Sequence, residues 1–131
     1  MGSTVTEPPP YRQVLDNGRL HEPSVTQGDA RTAMLCHLFV GLGIFGGILL
    51  IVPPILWLTG RDRSGFIDDH GREACNFAIS MLLLSVILFI SIIGTFLSWI
   101  PLALMLGFSI RAAFVASHRE YYRYPMTLRI L

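Results

Sequence analysis

The chain contains no lysine: its ten basic residues are all arginine, set against nine acidic residues for a net charge of +1. So even a balance excludes the strongly basic surface with which a protein holds nucleic acid through its phosphates. Arginine grips carboxylates and lipid phosphates with a planar two-toothed fork, which a lysine ammonium cannot reproduce. Cysteine is scarce too. Cys36 and Cys75 fall at opposite ends of the helices expected for them, and a disulfide needs alpha carbons within about 7 Å. Two free thiols are therefore expected. No paired cysteine spacing suggests a metal site, and no glycine loop suggests a nucleotide.

Charge of either sign is also missing, at 15% of residues where soluble domains carry about 25%. No charged residue occurs from Thr32 to Gly60, and none from Ala74 to Ile110. Uncharged apolar stretches of about 18 residues or more read as membrane spans. What is present, then, is an all-α integral membrane protein in contact with a lipid bilayer.

Residues 1–29 are polar, rich in proline and glycine, and without hydrophobic period. They are expected to form a disordered tail ahead of one domain over 30–131. Within the tail, "EPPPY" suits polyproline II, either as a ligand for a partner domain or as plain solvated chain. The first helix is expected to start at Asp29 as N-cap. Its stretch from Thr32 to Val52 has 21 residues, about 31 Å of helix, before Pro53 and Pro54 bend or end it. The second uncharged run is too long for one helix, and Gly94-Thr95 is its natural break. Ala74–Ile93 gives a second span. Ser98 opens a third, with Pro101 in its first turn and an end near Ala116. The expectation is a three-helix bundle with a charged interfacial loop over 59–75.

Arginine placement then orients it. Arg61, Arg63, Arg72, Arg119, Arg123 and Arg129 would share one side, against Arg12, Arg19 and Arg31 on the other. The positive-inside rule puts the loop and C-terminus in the cytoplasm and the N-terminus outside a bacterial inner membrane.

The polar residues gather at the foot of the second helix in "FIDDHGREACNF". Asp68, Asp69 and Glu73 there face a tail bearing Arg119, Arg123 and Arg129. Either these charges are a solvated anchor, or Glu73 or Asp69 bonds Arg123 or Arg111 and ties the tail under the bundle. Asn76, one turn past Glu73, can satisfy a loop or tail group. His70 and Glu73 can share a helix face, but two ligands do not make a metal site. His37, two turns into the first helix, suits a neutral hydrogen bond to a neighbouring helix better than a metal or proton relay. Arg111 lies deep in the third span and must snorkel or find a carboxylate. Gly43 and Gly47 form a small-xxx-small pattern for close helix packing, within the bundle or in a homodimer.

"AMLCHL", "VPPILWL", "FIDDHGREACNF" and "YYRYPMTLRIL", in this order, resemble a family of small bacterial membrane proteins related to the Tic-twenty-like proteins of the chloroplast inner envelope. The resemblance covers about residues 30–131. It rests on His37, on the string His70 to Phe77 and on Tyr122 to Pro125. Ala78 stands where a glutamine is common, and Arg119 where a glycine is. The resemblance implies a helical membrane domain with no established activity. No catalytic group, cofactor or metal is assigned. The expected function is a non-enzymatic accessory, assembly or scaffold subunit with a membrane-protein partner or a second copy. The alternatives are an oligomeric channel or translocation component, and a lipid-headgroup enzyme using His70 and Glu73.

Overall fold

A computed structural model describes residues 13–131. Arg12 and the whole "EPPPY" stretch lie outside the described residues. The first described segment pairs β1 (Gln13–Val14) with β2 (Leu20–His21) in a short antiparallel hairpin. Helices α1 (Gln27–Leu42), α2 (Val52–Gly60), α3 (Gly65–Ile90) and α4 (Trp99–Ser117) follow.

Helix α1 starts earlier than expected, because Thr26 and not Asp29 is the N-cap: its hydroxyl accepts the Asp29 amide at 3.1 Å. It also stops ten residues before Val52, at Leu42. Sixteen helical residues reach about 24 Å at 1.5 Å each, short of a hydrocarbon core of about 30 Å. Glycine ends it. Gly43 caps the helix, Gly46 is fully extended, and Gly47–Ile51 turns as a 3-10 helix into α2. The amides of Gly43, Ile44, Phe45 and Leu49 bond to nearby carbonyls within this turn, which lets irregular backbone sit at depth. Pro53 and Pro54 occupy the first turn of α2, where a missing donor is harmless. They begin a helix here; they do not end one.

Thus α1 and α2 form a helical hairpin whose two open ends lie side by side. Asp29, in the first turn of α1, pairs at 3.4 Å with Arg63, just after α2. This corrects the expectation of three spans. Two helical stretches are long and apolar enough to cross a membrane: α3, and Gly94–Ser117, which joins a 3-10 turn to α4. Helix α3 is continuous from the charged segment into the apolar one, so the expected loop shrinks to residues 61–64. Ser98 precedes α4 and Pro101 is buried in its first turn.

The opposite-side placement of the two tails is corrected as well. The Tyr121 amide donates to the Leu20 carbonyl at 2.9 Å, and the Glu22 amide to the Arg119 carbonyl at 3.0 Å. Chain ends that share hydrogen bonds cannot lie on opposite faces of a bilayer. Residues 13–26 are therefore not a featureless tail; they dock on the C-terminal segment. Arg119 makes this possible with a left-handed φ of 60° just past α4, a conformation that favours glycine.

The core packs Cys36 and Val40 of α1, Ala74, Phe77 and Met81 of α3, and Met105 and Ala112 of α4. Small residues do permit close helix approach, but not where the glycine pattern placed it. Gly41 faces Ser109, where an added Cβ would lie 3.0 Å from the Ser109 Cβ, and Ala30, Ala33 and Ala116 share a second cluster. Gly43 packs against Leu50 of its own hairpin, and a Cβ on Gly47 would meet nothing within 4 Å. The expected Gly43–Gly47 seam requires one continuous helix, which the break removes. Outward, Phe45, Ile48, Phe89, Ile90, Ile92, Ile93 and Phe96 are exposed. They gather at the two apolar turns and form a lipid-facing end.

This geometry predicts a labelling pattern. In sealed vesicles, a membrane-impermeant maleimide should reach Asp16→Cys and Asp62→Cys from the same side. Ser91→Cys, in the turn between α3 and α4, should react only from the other. Labelling of Asp16→Cys and Asp62→Cys from opposite sides would show that α1 crosses.

Candidate functional site: a buried histidine pair and a C-terminal clasp

Helix α1 brings His37, and α3 brings His70, to one fully buried point. His37 Nε2 lies 2.8 Å from His70 Nδ1, His37 Nδ1 lies 2.8 Å from the Tyr124 hydroxyl, and His70 Nε2 lies 3.0 Å from the Glu120 carbonyl. A carbonyl only accepts, so His70 Nε2 carries a proton. With both rings neutral, one order remains: Tyr124 donates to His37, His37 to His70, and His70 to Glu120. Four groups thereby join α1 and α3 to the segment after α4. Ring packing closes the site, with Phe66 at 4.4 Å from His70 and Tyr121 stacked on its other side at 5.7 Å.

A second network lies one face along α3. Glu73, Asn76 and Ser80 are buried and spaced at helical intervals. Glu73 Oε1 accepts the Tyr124 amide at 2.7 Å and meets Arg129 at 3.5 Å. Asn76 Oδ1 accepts the amides of Ile130 and Leu131 at 3.1 and 2.9 Å. Ser80 Oγ accepts the Leu128 amide at 2.8 Å and donates to the Asn76 carbonyl at 2.7 Å. Side chains of one helix thus supply the acceptors that an isolated extended strand lacks. Phe77 adds a stack on Tyr124, with ring centroids 3.8 Å apart.

At the rim, Arg123 forks onto Asp69 with two contacts of 2.6 Å. This carboxylate beside it raises the Arg123 guanidinium above its ordinary value. Asp68 pairs with Arg72 at 2.6 Å and accepts the Trp57 indole N–H at 2.8 Å, fastening α2 to α3. Gly71 allows that approach: a Cβ there would lie 2.6 Å from Trp57.

Six of the seven positions of the expected inner-face cluster therefore fall in these networks, Asp68, Asp69, His70, Glu73, Asn76 and Arg123, and His37 joins them. Arg111 does not. It is exposed on α4 and has no ion pair among the described residues. His70 and Glu73 share a helix but engage different partners, so they are not an acid/base couple. Among the described residues no group of three metal-ligating side chains converges. The Glu120 carbonyl and Ser80 escape sequence reasoning, although Ser80 continues the Glu73–Asn76 spacing by one turn; Arg129, one of the tail arginines, meets Glu73, and Tyr124 bonds His37.

A helical hairpin, two longer apolar helices and a tail clamped under them make a small helical protein whose two longer helices fit membrane insertion. The chain belongs to the MamF/MmsF family, the magnetosome magnetite crystal formation protein family, which it matches over residues 28–131. This match overturns the Tic-twenty-like resemblance and leaves the translocation alternative without support. The family is one of bacterial magnetosome membrane proteins and is not a known enzyme family. No curated protein and no solved structure matches the chain.

Proposed function

We propose that this protein serves magnetite crystal formation as a non-enzymatic accessory or assembly subunit, working through other membrane proteins and not by binding iron itself. One observation carries this reading: the charged side chains of the described residues lie at one end of the molecule, where arginines occupy most of the carboxylates. Asp29, Asp68, Asp69, Glu73 and Glu120 each have an arginine partner. The opposite end is the turn between α3 and α4, inside a stretch with no charged residue from Ala74 to Ile110. Hard iron ions take oxygen and nitrogen ligands, carboxylates above all. An arginine-rich end belongs on the cytoplasmic face, so the end facing the crystal is the uncharged one.

The test uses magnetosome membranes solubilised in mild detergent. The tagged chain should bring down defined membrane-protein partners, and the purified chain in vesicles should bind neither ferrous nor ferric iron above empty vesicles. Stoichiometric iron binding by a chain that purifies alone would overturn the proposal.

A further inference from the structure

Beneath α4, next to the clasp, a cavity of about 530 Å³ opens at the charged end. Three arginines line it, Arg19, Arg111 and Arg123, together with Tyr121, Tyr122 and Tyr124, and no carboxylate of the described residues does. Arg19 and Arg123 already hold Glu120 and Asp69 behind the wall. Among the described residues Arg111 has no ion pair and no hydrogen bond. The Tyr122 hydroxyl likewise makes no hydrogen bond among them; the ring meets Tyr124 and the carbonyl accepts from Arg123. Burial pushes that hydroxyl above its ordinary value, while the nearby Arg111 and Arg19 pull the other way. A guanidinium and a phenol with unused donors thus share one cavity.

Its position is equally specific. Arg111 sits on an otherwise uncharged helix, between exposed Ile110 and Phe114, and Phe108 one turn away lines the same cavity. Gly107, one turn deeper, leaves open space where a Cβ would be. A cation at this depth normally reaches outward or pairs; here it has a cavity to fill, with the apolar Phe108 ring in its wall.

We infer that this cavity binds the phosphate of an anionic phospholipid, gripped by the Arg111 fork and the Tyr122 hydroxyl, with an acyl chain lying along α4 past Phe108 and Gly107. Bidentate guanidinium–phosphate bonding suits the planar fork. The inference stands apart from the accessory role, because a lipid site does not require any partner protein.

Native mass spectrometry of the full chain in detergent, with phosphatidylglycerol and phosphatidylcholine in competition, measures it directly. The wild type should retain phosphatidylglycerol selectively. Arg111→Gln should lose that retention about tenfold, and Tyr122→Phe about threefold, as expected for one charge-assisted and one neutral hydrogen bond. Arg61→Gln removes the same charge away from the cavity and should change nothing. Equal retention by Arg111→Gln, or an equal loss in Arg61→Gln, would overturn the inference. Displacement of the lipid by equimolar inorganic phosphate would also overturn it, by making this a site for a soluble anion. If Arg111→Gln fails to fold, Tyr122→Phe carries the test, since it removes only a hydroxyl.

Discussion

Replacing His70 with leucine should lower the unfolding free energy in detergent by about 2–6 kcal/mol, because two buried groups lose their partner at about 1–3 kcal/mol each. The orphans are the Glu120 carbonyl and His37 Nε2–H, which now bond to His70 at 3.0 and 2.8 Å. His37→Leu should cost a similar amount, leaving the Tyr124 hydroxyl and His70 Nδ1 unpaired. The double variant is the informative one. It orphans only Tyr124 and Glu120, so its loss should fall well short of the sum. Denaturant unfolding, followed by fluorescence of Trp57 and Trp99, measures all three. Small losses that simply add would mean that the two rings meet by proximity alone.

The histidine pair also shows what a sequence does not reveal. His37 and His70 are 33 positions apart, on different helices, with no shared local pattern. Their meeting depends on how α1 crosses α3, which hydropathy does not encode. The same limit explains the first helix. An uncharged run looks identical whether it crosses the bilayer or turns back within it. Gly43, Gly46 and Gly47 serve either reading, since glycine permits close packing and also breaks helices. Only the Asp29–Arg63 contact distinguishes them, and it depends on the hairpin already being formed.

Other features are local and could be read directly. The long apolar character of α3 and α4, the break near Gly94, and Pro101 in the first turn of α4 each follow from a few neighbouring residues. The segment 13–26 is the contrary case. It has no period of its own because its order comes from strand-like bonding to residues 119–121. Charge complementarity between residues 68–73 and the C-terminal arginines is likewise visible in the sequence. Which carboxylate takes which arginine is not, because the choice is made by the path of the backbone past Tyr124. Arg111 shows the cost of reasoning from charge alone: Asp68, Asp69 and Glu73 are the partners open to it, and among the described residues the fold gives each of them to another arginine.

The clasp itself should divide into a strong part and a weak part. Glu73 is nearly buried, with its side chain 5% exposed, and it satisfies a backbone amide as well as Arg129. Removing it in Glu73→Ala leaves the Tyr124 N–H buried without an acceptor, and should cost about 3 kcal/mol. The Asp69–Arg123 fork has better geometry but stands in water, with Arg123 53% exposed. Solvent screening limits such a pair to at most about 1 kcal/mol, so Arg123→Ala should be mild. Glu73→Gln separates charge from hydrogen bonding, since the amide oxygen still accepts from Tyr124 and only the half-exposed Arg129 loses its counter-ion. It should therefore behave like Arg123→Ala and unlike Glu73→Ala. Limited proteolysis with chymotrypsin gives an independent reading, with cleavage after Met126 or Leu128 accelerated in Glu73→Ala and Asn76→Ala and near wild type in the other two. If Arg123→Ala instead proves the most damaging, the tail is held by its rim charges. The buried acceptors of α3 would then merely accommodate a strand that electrostatics had already placed.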